Sequence, residues 1–356
     1  MKTVFNFLIK GLVIFAILSC NKNEIQRENI FLGIDSLTEG AGNTSYRDFF
    51  CKDTISTKLG YIPINYKSMK DLEISVFMTE NMKWFAPDLE YTSYPKKFSL
   101  DGNGAFSNHA KGDDRCVFNI SKLHSYKKLG LYYLKQPDGG NFILSASNKG
   151  IYSKKLKVNT QSSDFEIGYA EVETEISDRF NIDSVLGKVV VFGLNFKNAK
   201  LKTKVVNTFA RGGQRLNEIA SLDNSFRRKW FKILKPTTYI LNAGMNDRRS
   251  IKPAIFELNL NDFIHDLNYG SPKCKIILVE PNESFDYMET HMPMYRQIRQ
   301  EVSLNNKNVH YYSIPENIGD YEFFVKNEMM LDKVHPNLEG NKIIGESLYK
   351  FYEEIK

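Results

Sequence analysis

Apolar and polar positions change rhythm twice along this chain. From Asn29 a short apolar run, NIFLGI, stops at the polar turn DSLTEG, and Ser45–Leu59 then carries Tyr46, Phe49, Phe50 and Ile55 at near-helical spacing. A strand, a turn and a helix are predicted in that order. Residues 71–195 alternate in short runs separated by turn clusters. Leu129–Leu134 and Asn141–Ser145 flank Gln136-Pro-Asp-Gly-Gly140 as a hairpin, and Phe98–Phe106 is broken by Asp101-Gly-Asn-Gly104. Lys155–Asn159 and Phe165–Ile176 are further strands. No segment of helical length and period interrupts them, which suits a β-sandwich or jelly roll.

Beyond Lys188 strands and helices alternate. Val189–Phe192, Lys204–Phe209, Thr238–Leu241, Lys275–Glu280 and His310–Ser313 read as strands. Gln214–Ser221, Pro253–Leu267, Tyr295–Ser303 and Gly340–Glu354 read as helices, and Pro253 suits a first helical position. This order predicts a parallel α/β sheet. The opening strand–turn–helix belongs to the same sheet, so the β-rich stretch is inserted rather than appended. The expected organisation is a first α/β part at 29–70, the insert at 71–195 and a second α/β part at 196–356.

The N-terminus adds export. Lys2 and Lys10 flank a start that runs into the apolar stretch Gly11–Leu18, followed by Ser19 and Cys20. Eight residues are too few to span a bilayer, which takes about 20. Residues 1–19 therefore read as a secretory signal. Ile17-Leu-Ser-Cys20 resembles a bacterial lipobox, with Leu18 where a smaller residue is commoner, so Cys20 is the expected lipidation site. Residues 20–28 read as a tether, and the mature protein is expected in the cell envelope, lipid-anchored on a periplasmic or surface face. Loss of Lys2 and Lys10 lowers the formal charge from +6 to +4, too mild to argue for nucleic acid. With 42% hydrophobic and 25% charged residues, the composition excludes a disordered chain and a multi-span membrane protein. Cys51, Cys116 and Cys274 match no zinc spacing and read as buried small hydrophobes, with a Cys51–Cys274 bridge as the alternative.

Candidate chemistry lies where a parallel sheet binds ligands, beyond the carboxyl ends of its strands. Four polar clusters fall there: Gly33-Ile-Asp-Ser36-Leu-Thr-Glu-Gly40, Arg211-Gly-Gly213-Gln, Gly244-Met-Asn246-Asp247 and Asp332-Lys-Val-His335-Pro-Asn. A Ser hydroxyl needs a base to become a nucleophile. His335 is the candidate base, and Asp332, three residues earlier, is close enough to orient it.

In this order the clusters resemble the four blocks of the SGNH hydrolases, also called GDSL esterases. The resemblance implies a flavodoxin-like α/β/α fold and a Ser36–His335–Asp332 triad. The implied oxyanion hole is built from the Ser36 N–H, a Gly N–H and the Asn246 amide. Gly213 is the expected glycine, with Gly212 as runner-up. Ile34 stands where the family usually has Gly, and Met245 where Thr is commoner; neither removes a catalytic atom. A β-domain inserted between the Ser and Gly blocks resembles peptidoglycan and polysaccharide O-acetylesterases, in which a carbohydrate-binding-like jelly roll interrupts the hydrolase. That implies a serine esterase removing O-acetyl groups from an envelope or extracellular glycan. The alternatives are an esterase, lipase or thioesterase on other esters, acetyl transfer between sugars, and a glycan-binding lipoprotein with a slow hydrolase domain. Trp84, Tyr91, Tyr94, Tyr132 and Tyr133 are candidate sugar-stacking faces, and Arg248 and Arg249 are candidates for steering an anionic glycan. No metal or organic cofactor is implied, and a monomer is expected.

Overall fold

The computed structural model describes residues 28–34, 36–39, 45–50, 60–64, 74–86, 89–120, 126–148, 151–152, 154–174, 177–197 and 204–356. The signal segment, Cys20, the tether up to residue 27, Asp35, Gly40 and Cys51 lie outside the described residues. Of the expected helix Ser45–Leu59, the turn Arg47–Phe50 is described.

In chain order the described strands are β1 (Glu28–Ile34), β2 (Gly60–Pro63), β3 (Ile74–Met78), β4 (Lys83–Trp84), β5 (Ala105–Ile120), β6 (Lys128–Lys135), β7 (Asn141–Asn148) and β8 (Ile151–Tyr152). They continue as β9 (Leu156–Asn159), β10 (Glu166–Glu173), β11 (Arg179–Lys197), β12 (Lys204–Ala210), β13 (Thr238–Asn242), β14 (Lys275–Glu280) and β15 (Val309–Ser313). Among them, β12-β1-β13-β14-β15 form a parallel sheet in that order. The remaining strands form an antiparallel sheet along the path β10-β6-β11-β5-β3, with β2, β4 and β7 to β9 attached. The fold is thus the expected parallel α/β sheet with an additional antiparallel sheet.

Two details differ from the sequence reading. Val189–Phe192 is not a strand of the parallel sheet but the middle of β11, which pairs with β5, β6, β7 and β2. Bulges near Val185 and Gly187 let one long strand serve several partners, and bulges leave no period-2 signature that runs the full length. Conversely β2, in the stretch read as the first α/β part, hydrogen-bonds to β11.

The pleat sorts the parallel strands onto two cores. Ile30, Leu32, Ile240, Ile277 and Val279 pack with Ile344, Leu348 and Tyr352 of the closing helix Leu338–Glu354. Phe31, Tyr239, Leu241, Ile276 and Leu278 face the opposite core. There the helix Pro253–Gly270 contributes Phe256, Leu260, Phe263, Ile264 and Leu267 from one stripe. A helix not expected from the sequence, Asn224–Leu234, is capped by Asp223, whose carboxylate accepts the Phe226 N–H at 3.1 Å. Its Trp230 joins the two sheets. The indole N–H donates to Phe98 O at 2.8 Å, and its ring lies 5.4 Å from Phe192 of β11 and 6.1 Å from Phe209 of β12.

The aromatic candidates divide accordingly. Tyr91, Tyr132 and Tyr133 are core residues only 5–6% exposed, so they offer no face to a sugar. Trp84 is half-buried against the interior of the antiparallel sheet, and Tyr94 is exposed. Cys116 and Cys274 are buried free thiols. Among the described residues no helix is long and apolar enough to cross a membrane.

Candidate active site

Three of the four blocks leave neighbouring strands at the same edge. Ile34 at the end of β1 lies opposite Ala210 of β12 on one side and Asn242 of β13 on the other. Ser36 opens the helix Ser36–Glu39 two residues later, Gly213 follows Ala210 by three residues, and Asn246 follows Asn242 by four. The helix after β1 is braced from behind. The Ser45 hydroxyl reaches Leu37 O and Thr38 O at 2.9 and 2.8 Å, and the Thr38 and Tyr46 hydroxyls meet at 2.7 Å.

The Gly loop is a tight turn closed by Gln214 N–H donating to Arg211 O at 3.1 Å. Gly213 takes φ +77, and no atom lies within 4 Å of where a Cβ would stand. Glycine is required there by backbone conformation, and the space above it is open to a ligand. Gly212 is exposed beside it. Asn246 is tied to this loop, its Nδ2 donating to Gln214 O at 3.0 Å. An amide NH2 carries two hydrogens, so the same nitrogen has a second N–H to offer a developing oxyanion.

Asp247, the next residue, is buried and satisfies the first N–H groups of the helix Leu216–Ala220. It accepts from Leu216 at 3.1 Å and Asn217 at 3.5 Å. Burial pushes its carboxyl up to about 6 against the pull of those N–H groups. The Gly and Asn blocks are therefore locked together twice. Sequence reasoning gave neither Asp247 nor Gln214 a role. The capped helix starts 31 residues before Asp247, so no local pattern announces the bond.

The fourth block is local. Asp332 Oδ1 accepts the N–H groups of Val334 at 2.7 Å and His335 at 2.8 Å. This turn directs Oδ2 at the imidazole, with His335 Nδ1 2.9 Å away. Burial alone would raise the Asp332 carboxyl, but the His335 and Val334 N–H groups and the imidazole outweigh it and hold the group below its usual range. Asn282, beyond the end of β14, donates to Val334 O at 2.9 Å and so fixes the loop to the same sheet edge. Asn337 caps the closing helix, its Oδ1 accepting from Glu339 and Gly340 at 3.1 Å each. Asn282 was missed from sequence, where it is one polar residue after a strand.

Arg248 and Arg249 follow the Asn block but are turned toward protein. Arg249 holds Asp286 Oδ2 through Nε and Nη2 at 2.9 and 2.6 Å, and Arg248 donates to Met245 O and stands 3.5 Å from Asp286 Oδ1. Trp84 belongs to the antiparallel sheet through its pairing with Ala105. A cavity of about 360 Å³ lies elsewhere, at the opposite end of β1 between the sheets, lined by Asn29, Tyr132, Lys197 and Asn207 among others. Its amides and Lys197 are already paired with protein. His109, Asp113 and Asp114 of β5 place three metal-ligating atoms within 4.8 Å of one another, but the hydroxyls of Thr79 and Ser107 already hold Asp114.

A family model described as GDSL-like Lipase/Acylhydrolase matches residues 138–348. The span contains the Gly, Asn and Asp–His blocks and begins after Ser36. Among solved structures, one described as a peptidoglycan O-acetylesterase in action superposes with a TM-score of 0.67 at 14% identity, covering 94% of this chain and 93% of that one. At that identity the likeness is one of fold. A carbohydrate esterase of family 3 from Talaromyces cellulolyticus gives a TM-score of 0.35 at 12% identity, covering 45% of this chain and 74% of its own. A family two carbohydrate esterase from Clostridium thermocellum, in complex with cellohexaose, gives 0.30 at 10% identity, covering 79% and 98%. A sequence search of curated proteins finds no match.

Proposed function

Because the chain belongs to the GDSL-like lipase/acylhydrolase family, we propose that it is a serine esterase that removes O-acetyl groups from an envelope or extracellular glycan. Ser36 attacks the acetyl carbonyl while His335 takes its proton. Asp332 fixes the imidazole with Nδ1–H toward the carboxylate and stabilises the imidazolium. The Ser36 and Gly213 N–H groups and the Asn246 amide receive the oxyanion. His335 then returns the proton to the leaving sugar oxygen, and water, activated by the same base, cleaves the acyl-serine.

The observation that carries this reading is the Asp332–His335 pair, 2.9 Å apart, on a loop tied to the sheet edge where the Gly and Asn blocks are cross-linked. The acetyl-glycan assignment leans on the likeness in fold, across nearly the whole chain, to a peptidoglycan O-acetylesterase. Export and lipid anchoring at Cys20 would bring the enzyme to such a substrate.

The test compares wild type with Ser36→Ala for acetate release from 4-nitrophenyl acetate, acetylated xylan and O-acetylated peptidoglycan. Acetate from wild type and none from the variant is expected. A fully active Ser36→Ala protein would remove the mechanism, and a preference for long-chain esters would remove the acetyl-glycan assignment.

A further inference from the structure

Gln214 is the node of the Gly loop. Its N–H closes the turn that presents Gly213, and its carbonyl receives the Asn246 amide. Its side chain, buried to 1% exposure, turns the other way and donates to the Tyr91 hydroxyl at 2.9 Å. Among the described residues this is the side chain's single hydrogen bond, since Oε1 has no partner. Tyr91 lies outside all four blocks, in the segment between β4 and β5.

Tyr91 is itself held from several sides. The Lys96 ammonium sits 4.4 Å from its ring centroid and donates to Leu89 O at 2.6 Å. The Arg211 guanidinium, at the start of the Gly loop, lies 5.3 Å from the same ring. Gly102 passes so close that a Cβ there would come within 2.5 Å of the Tyr91 hydroxyl oxygen. A ring clamped in this way fixes its hydroxyl in space, and the hydroxyl fixes Gln214.

We propose that Tyr91 is a positioning residue for the oxyanion hole, acting through Gln214 to hold both the Gly213 N–H and the Asn246 amide in register. The inference rests on the proposed esterase reading, which makes those two groups oxyanion donors. The Tyr91 hydroxyl touches no reacting atom. Its loss leaves the Gly–Gln turn and the Asn246 acceptor free to drift, and preorganised donors lose effect steeply with small displacements.

The experiment uses the full chain and initial rates on 4-nitrophenyl acetate. Tyr91→Phe keeps the ring and deletes the hydroxyl; kcat should fall about tenfold with KM within about twofold. Asn246→Ala should cost about 10²–10³ in kcat. The double variant should be slower than Asn246→Ala by clearly less than the factor that Tyr91→Phe costs alone, because one of the two donors the hydroxyl positions is already gone and the Gly213 N–H remains. Gln214→Ala should reproduce Tyr91→Phe, and it carries the test if Tyr91→Phe does not fold. Wild-type kcat in Tyr91→Phe or in Gln214→Ala, losses that multiply in the double variant, or a change confined to KM would each overturn the proposal. Full activity in Ser36→Ala would instead remove the esterase reading on which it stands.

Discussion

Two aspartate-centred pairs of similar length do opposite jobs in this molecule. Asp266, on the helix Pro253–Gly270, meets Arg227 of the helix Asn224–Leu234 at 2.8 Å, and Arg228 at 2.6 Å, with Asp266 and Arg227 almost fully buried. The remaining Arg227 donors go to Ile219 O, Ala220 O and Leu222 O. Both oxygens of the acid are engaged and the cation is saturated, so this cluster has no capacity left for chemistry. Asp332 and His335 sit three residues apart on a surface loop, with the Asp332 side chain 52% exposed. One carboxylate oxygen is spent on backbone N–H groups and the other aims the imidazole. Separation distinguishes neither pair; what distinguishes them is saturation with burial in the first and aim with access in the second.

Cutting each pair should therefore give a different phenotype. His335→Ala should lower kcat by about 10⁴-fold or more, as loss of a triad base does. Stability should change by less than about 1 kcal/mol, because a part-exposed loop side chain is removed. Asp266→Ala should do the reverse. An uncompensated Arg227 in the core should cost about 3–5 kcal/mol, while kcat at low temperature stays near wild type. Urea melts alongside initial rates measure both quantities. Loss of activity in Asp266→Ala without loss of stability would break the distinction.

The same contrast explains what could be read from the sequence. Asp332 and His335 are legible because both members lie within one turn, as are β14, whose bounds the apolar run gave to the residue, and Pro253 at a helix start. Arg227 with Asp266, Tyr91 with Gln214 and Asp247 with Leu216 are joined across 39, 123 and 31 residues. Each is made by packing, and in sequence Arg227, Asp266, Gln214 and Asp247 do not differ from solvated polar residues. The helix Asn224–Leu234 escaped for a related reason. Arg227 is buried on its inner face beside Phe226, Trp230 and Phe231, so a charged residue interrupts the apolar stripe that would have announced it.

A second contrast lies between buried and exposed carboxyls. Asp247 has its carboxyl raised by burial to about 6, and burial raises Asp101, beside Tyr61, to about 6 as well. A carboxyl raised on folding binds more protons in the folded state, so its contribution to stability falls as pH rises from about 4 through about 6. Asp332 is shifted the other way, so its contribution is present above the ordinary carboxyl range and is lost as pH falls through its lowered value. Each of the two raised groups should contribute about 2 kcal/mol less stability at pH 7 than at pH 4. Asp247→Asn should flatten that slope, and Asp332→Asn should leave it intact while lowering kcat. Denaturant titrations at several pH values would decide. A slope unchanged in Asp247→Asn would mean that its burial carries no electrostatic cost.

The smallest effect expected is at Arg249. Its side chain is 63% exposed, which suits an anion-steering role, yet two of its nitrogens are committed to the buried Asp286 carboxylate. Arg248 stands by the same acid at 3.5 Å, so Asp286 keeps a cation when Arg249 is removed. A guanidinium already paired presents little net field beyond a Debye length of about 8 Å at physiological salt. Arg249→Ala should therefore change kcat/KM for neutral 4-nitrophenyl acetate by less than about twofold, as rim charges commonly do. The informative measurement is kcat/KM for an anionic O-acetylated glycan at low and high salt. A salt-dependent loss in Arg249→Ala, confined to the anionic substrate, would show that Arg249 still reaches substrate from its pairing with Asp286. Equal behaviour on both substrates would place Arg249 with Arg227, as a cation whose bonds are spent on holding the fold.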